Sequence, residues 1–110
     1  MPDPSDAGVE IAVLTASFDA RPGSEEDLLA ALSRYVVLTR HEPTCRNVDL
    51  VASVTRTGRF FVIEKWESAE AVKAHLDSEL MTEMAKAAIA SIDVPPEIDL
   101  YDSISAHDLN

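Results

Sequence analysis

The chain has 110 residues, a formal net charge of −11 and an apolar fraction of 46%. That length makes one domain with a real core and leaves no room for two. The charge argues against nucleic acid and anionic membrane surfaces as partners, and a single cysteine, Cys45, excludes an intrachain disulfide and fits a reducing compartment.

Residues 1–8 are polar and proline-containing and read as a disordered lead-in. They lack a basic region followed by an apolar run, so they are not a signal peptide. No apolar stretch approaches membrane-spanning length. A cytoplasmic location is expected. One domain is expected over 9–105, with a polar tail over 106–110.

Val9 to Phe18 reads as the first strand. Val9, Ile11 and Val13 alternate with Ala12, Leu14, Ala16 and Phe18, so both faces are apolar. Arg21-Pro22-Gly23 signals a loop. Ser24-Glu25-Glu26-Asp27 resembles a capping box and starts a helix. Leu28, Leu29, Leu32, Tyr35, Val36 and Thr39 follow its apolar stripe. Arg40 and His41 suit its negative end, and Pro43 stops it. Asn47 to Arg56 is the second strand, with Val48, Leu50, Ala52 and Val54 on one face. Thr57-Gly58 turns it into the third.

The third strand, Arg59 to Trp66, carries the most information. Phe60, Val62, Glu64 and Trp66 share one side; Phe61, Ile63 and Lys65 share the other. Ser68 is a natural N-cap for a helix from Ala69 to Leu76. Spacing of three and four places Val72, His75 and Leu76 on its inward face. Asp77-Ser78 breaks or bends the segment, and Leu80, Met81, Met84, Ala85, Ala88 and Ile92 resume the helical spacing. Pro95-Pro96 ends it. Glu97 to Ser105 is the last strand, with Ile98, Leu100 and Ile104 on one side and Asp99, Tyr101 and Ser103 on the other.

The order β-α-β-β-α-β with right-handed crossovers gives an α+β fold, a ferredoxin-like four-stranded antiparallel sheet with its helices on one face. Helices cover one face only, yet the strands are apolar on both. A second copy is the simplest cover for the other face.

Three stretches carry a family resemblance: His41-Glu42-Pro43-Thr44-Cys45, the run from Arg59 to Ser68, and Ala74-His75-Leu76 nine residues beyond the tryptophan. With their order and spacing over residues 9–104, the chain resembles the antibiotic-biosynthesis monooxygenase (ABM) family. Thr44 departs from the glycine that usually precedes the cysteine there. The resemblance implies a dimeric α/β barrel, a homodimer whose sheets pack face to face, with a cavity between each sheet and its helices. Its members include cofactor-independent oxygenases of phenols and quinols, haem-degrading enzymes and a sugar-phosphate isomerase. The haem-degrading branch pairs an asparagine on the first strand with a histidine and a tryptophan on the second helix. Val9 to Phe18 holds no asparagine, and His75 stands where that tryptophan would be.

His75 is the candidate catalytic residue. A buried neutral imidazole can take a proton from a phenol or enol. The alternative is a core histidine satisfied by a carbonyl or a carboxylate. Trp66, Tyr35, Tyr101, Val72, Leu76 and Asn47 are candidate substrate-binding residues, with Trp66 also a packing anchor. Glu64, if buried, needs an arginine or a tyrosine hydroxyl as partner, and an ion pair across the dimer would supply one. Cys45 has no neighbouring base and reads as inert. Three scattered histidines make no zinc pattern, and no Gly-rich cofactor loop is present, so neither a metal nor a cofactor is assigned. Two functions fit: a monooxygenase of an aromatic small molecule working without flavin or metal, or a dimeric small-molecule-binding or accessory protein without turnover.

Overall fold

Period-two alternation builds the sheet. The computed structural model describes residues 11–105, so the expected lead-in 1–8, Val9 and the tail 106–110 lie outside the described residues. Strands β1 (Ala12–Asp19), β2 (Cys45–Ala52), β3 (Arg59–Trp66) and β4 (Glu97–Asp102) form one four-stranded sheet in the order β2-β3-β1-β4. All three pairings are antiparallel. Helices α1 (Glu25–Thr39), α2 (Ala69–Leu76) and α3 (Glu79–Ile89) pack on one face. This is the expected ferredoxin-like α+β arrangement, with the second helix divided in two.

The core follows from which residues face the helices. Phe18, Val48, Phe60 and Val62 from the sheet meet Leu28, Leu32 and Val36 of α1 and Met84 and Ala88 of α3. At the other end of the sheet, α2 lays Val72 on Ala12, Leu14 and Trp66. The division between α2 and α3 has a local cause. Ser78 caps α3, its hydroxyl accepting from the Met81 amide at 3.2 Å. The same hydroxyl donates to the His75 carbonyl at 2.6 Å. Ser68 caps α2 as expected, accepting from the Ala71 amide at 3.1 Å.

Several local expectations are corrected. The Ser24 side chain makes no cap hydrogen bond. Glu25 folds back instead and accepts from the Gly23 amide at 3.0 Å. Leu29 is 42% exposed and falls off the buried stripe of α1. The Arg40 guanidinium leaves the helix end and donates to the Val48 carbonyl of edge strand β2. Strand β2 starts at Cys45 rather than Asn47, with a bulge between them, and stops at Ala52. Val54 is fully exposed, because Ser53 turns the chain early, its hydroxyl accepting from the amides of Thr55 and Arg56. Gly58 closes this connection at φ +84, a conformation that favours glycine. Helix α3 ends at Ile89, and Ile92 instead bridges to Ala20. Strand β4 ends at Asp102, short of Ile104.

The face of the sheet away from the helices carries an apolar strip of Val13, Val51, Phe61 and Ile63 beside Asp49 and Lys65. Strand β1 contributes less to it than expected, because Thr15 and Ser17 occupy its middle.

The caps give a direct test. Ser68→Ala should cost about 1 kcal/mol, the usual worth of an N-cap hydroxyl. Ser24→Ala should cost almost nothing, since no bond is lost. Urea midpoints of the two variants against wild type measure the difference.

Candidate functional site

Glu64 and Trp66 are two apart on β3, so both point at the helices. Neither is accessible, Glu64 being 2% exposed and Trp66 0%. The Trp66 indole N–H donates to Glu64 Oε1 at 2.9 Å. Tyr35, from the buried stripe of α1, puts its hydroxyl 2.5 Å from Glu64 Oε2. The same hydroxyl is 2.6 Å from His75 Nε2. His75, in the last turn of α2, has its other nitrogen, Nδ1, 3.0 Å from Glu42 Oε2. Its ring also stacks at a tilt on Trp66, with centroids 4.4 Å apart. Four segments thus converge on one buried hydrogen-bonded chain running Trp66, Glu64, Tyr35, His75, Glu42. Only Glu42 has a partly exposed side chain, at 28%.

Burial dominates the electrostatics. It holds the Glu64 carboxyl above its ordinary 4.5, against the opposing pull of Tyr35, His75 and Trp66. It also raises the Tyr35 phenol, helped by the neighbouring Glu64 charge. The half-buried Cys45 thiol, opposite Trp66 on the sheet, is pushed up to about 11 by burial and by Glu64. A thiol held protonated is a poor nucleophile, which agrees with the inert reading of Cys45. Thr39, one turn beyond Tyr35, holds the one buried side-chain polar atom among the described residues without a hydrogen-bond partner.

A cavity of about 520 Å³ lies beside this chain, between α3 and the β1–β4 side of the sheet. Phe18, Leu76, Met84, Ile92, Pro95 and Ile98 line it, and Asp93 is the one charged residue at its wall. Arg21 fixes that wall. Its guanidinium donates to Asp93 Oδ1 at 2.6 Å and to the carbonyls of Ala90 and Ile92. Met84 also lines a small cleft between α1 and α3 with Tyr35. It packs in one core cluster with Tyr35.

The structure brings together Tyr35, Trp66, His75 and Val72, all buried. Leu76 lines the cavity next to them. It does not bring in Tyr101 or Asn47. Tyr101 pairs with Val13 and Asn47 with Lys65, which places both on the outer face with the sheet between them and His75. Asn47 instead donates to Asp49 Oδ2 at 3.1 Å. Glu64 finds its tyrosine hydroxyl within the chain, so no ion pair across a dimer is needed to satisfy it. Glu42 was not singled out by the sequence. It sits in a turn, outside any periodic stripe, and its place in the His41–Cys45 stretch was the only signal. Among the described residues no group of three His, Cys, Asp or Glu is arranged to hold a metal ion, and no helix is long and apolar enough to cross a membrane.

Glu64 should leave a mark on stability. Its folded value lies above the ordinary 4.5, so the folded state binds this proton more tightly. The associated stabilisation is complete below 4.5 and is lost as pH rises through the folded value. Glu64→Gln keeps the shape and cannot ionise. Urea unfolding across pH should show wild type losing stability relative to Glu64→Gln as pH rises, with the two curves converging in acid.

The family model for antibiotic biosynthesis monooxygenase matches residues 11–87. None of the curated proteins matches the chain. Among solved structures, one described as an antibiotic biosynthesis monooxygenase has a TM-score of 0.78 at 24% identity, over 86% of this chain and 99% of its own. A protein from Mycobacterium tuberculosis has a TM-score of 0.81 at 23% identity, over 87% of this chain and 97% of its own. A protein of unknown function from Nitrosomonas europaea reaches 0.82 at 18% identity, over 94% and 98%. At these identities the likeness carries the fold. The family match runs from the start of the sheet through most of α3 and includes every residue of the buried chain. The protein belongs to the antibiotic biosynthesis monooxygenase family.

Proposed function

We propose that this protein is a monooxygenase acting, without flavin or metal, on a phenolic or quinol-type aromatic small molecule held between sheet and helices. The observation that carries this reading is an apolar cavity of about 520 Å³ whose lining includes Leu76, next in sequence to His75, and Met84, which packs in one cluster with Tyr35. The volume falls in the range of ordinary ligand sites, and an apolar lining suits a planar aromatic ring.

In this reading Met84, an unbranched and adaptable side chain, turns aside so that a substrate hydroxyl reaches Tyr35. The substrate O–H breaks as its proton passes to the Tyr35 oxygen, and the original Tyr35 proton passes to His75 Nε2. Exclusion of water leaves an electron-rich anion that reacts directly with dioxygen. One oxygen atom stays as a carbonyl on the ring and the other leaves as water. Trp66 and Val72 hold the His75 ring in place, and Leu76 contacts the substrate. The apolar strip on the outer face supports a homodimer packed sheet to sheet. Tyr101 and Asn47 then belong to that interface rather than to the cavity.

A second reading has its own support. Both ring nitrogens of His75 are already bonded within the chain, as a structural histidine would be. On that reading the cavity binds and does not turn over, in a dimeric small-molecule-binding or accessory protein.

Oxygen consumption with a panel of anthrones and naphthoquinols separates the two. Wild type should turn over at least one of them, and His75→Gln should lower the rate by about two orders of magnitude, the usual scale for a lost general base. Equal rates would make His75 structural. No turnover on any member would favour the binding reading. Light scattering at micromolar concentration should give the mass of a dimer, and a monomer would remove the sheet-to-sheet assembly.

A further inference from the structure

Hydrogen positions in the buried chain can be counted. Each short contact needs one hydrogen between its two heavy atoms, and Tyr35 owns a single hydroxyl hydrogen for two neighbours. Glu64 Oε2 is at 2.5 Å and His75 Nε2 at 2.6 Å. Three arrangements satisfy every contact. In the first, Tyr35 donates to an ionised Glu64. Nε2–H then donates to Tyr35, Nδ1–H donates to Glu42, and the ring is a cation. In the second, a protonated Glu64 donates to Tyr35, Tyr35 donates to a bare Nε2, and Nδ1–H donates to the Glu42 carboxylate. In the third, a protonated Glu42 donates to a bare Nδ1, Nε2–H donates to Tyr35 and Tyr35 donates to an ionised Glu64, so the one charge sits on a side chain that is 2% exposed. The three hold the same hydrogens and the same net charge. They differ in where the charge sits. The first buries a cation and an anion on side chains that are 0% and 2% exposed. The second leaves its one charge on Glu42, at 28% exposure. Desolvation therefore favours the second. The other groups near the chain are the Trp66 N–H, the Thr39 hydroxyl, the Cys45 thiol and the Arg40 guanidinium, the last held by the Val48 carbonyl.

We propose that Glu42 is a positioning residue: by accepting from Nδ1–H it fixes the His75 tautomer, turns the bare Nε2 toward Tyr35, and makes the four side chains a proton path between Glu64 and the surface. The path works by two linked jumps. The Glu64 O–H breaks as a new Tyr35 O–H forms, and the former Tyr35 O–H breaks as His75 Nε2–H forms. The imidazolium then releases its Nδ1 proton to Glu42, which meets solvent. The path meets solvent at Glu42, the one group in it that is both a hydrogen-bond acceptor and open to water. This arrangement exists in the resting protein and does not rest on quinol turnover.

Nitrogen NMR of histidine-labelled protein near neutral pH reads the tautomer. Wild type should show a protonated Nδ1 and a bare Nε2 for His75. Glu42→Ala removes the acceptor that holds Nδ1–H, and the Nδ1–H tautomer should give way to Nε2–H. Glu42→Gln keeps a carbonyl acceptor and should preserve the wild-type tautomer, but it cannot take up the proton. Exchange of the Tyr35 hydroxyl hydrogen with solvent should therefore slow several-fold in Glu42→Gln. A wild-type ring that is an imidazolium or the Nε2–H tautomer overturns the proposal, even if Glu42→Ala fails to fold. So does an unchanged tautomer in a folded Glu42→Ala, or unchanged exchange in Glu42→Gln. Loss of oxygen consumption alone bears on the enzyme reading and leaves these spectra to decide the proton path.

Discussion

A carboxyl group placed in an apolar layer must be matched or it unfolds the layer around it. Glu64 is that group. An unsatisfied buried acceptor costs about 1–3 kcal/mol, and a buried charge costs more. Its partners come from three segments: Trp66 on its own strand, Tyr35 on α1 and, through Tyr35, His75 on α2. Satisfying Glu64 therefore fixes how both helices sit on the sheet. Apolar packing, with Leu32 and Val62 in one cluster, supplies the driving force but tolerates sliding. The hydrogen bonds do not, since they fail beyond a few tenths of an ångström.

Much of this was legible in the sequence because it is written in period. Alternation along Arg59–Trp66 put Glu64 and Trp66 on one face, and spacing on α2 put His75 inward beside Val72. Both placements hold. The requirement that a buried Glu64 find a partner, an arginine or a tyrosine hydroxyl, also follows from elementary electrostatics. What the sequence did not carry was which of these it takes, or which tyrosine. Tyr35 and Tyr101 look alike locally, but strand register sends Tyr101 to the outer face. Register is a tertiary property, set by how β4 pairs with β1. Glu42 escaped for a related reason: a turn residue has no period, and its role appears only once α2 brings His75 against it. The Ser24 cap failed through local competition, since the Glu25 carboxylate reaches the Gly23 amide and folds back over the helix start.

The site divides into two parts of different chemistry. The buried chain is polar, fully packed and tied to the sheet. The cavity is apolar and tied to α3 and the segment that Arg21 holds. Ile98 and Leu100 of β4 remain about half exposed, at 46% and 51%, because no helix reaches that edge. The family match spans the whole buried chain but only part of the cavity wall, since Ile92, Pro95 and Ile98 lie beyond residue 87, and the two parts are under different physical constraints. A change of one methylene at Met84 or Ile92 alters the space offered to a ligand. A change of one atom in Glu64 or Tyr35 breaks a hydrogen-bond circuit.

The break at Asp77–Ser78 has a consequence for how such a site can diversify. Ser78 ends one helix and begins the next, and it holds the His75 carbonyl through both its amide and its hydroxyl. The histidine is thus anchored from behind, independently of the helix beyond the joint. Helix α3 can tilt, lengthen or exchange its inward side chains as a separate module. The side chains lining the cavity can change on α3 while the buried hydrogen-bonded chain stays unchanged, so the joint lets selection act on the two parts one at a time.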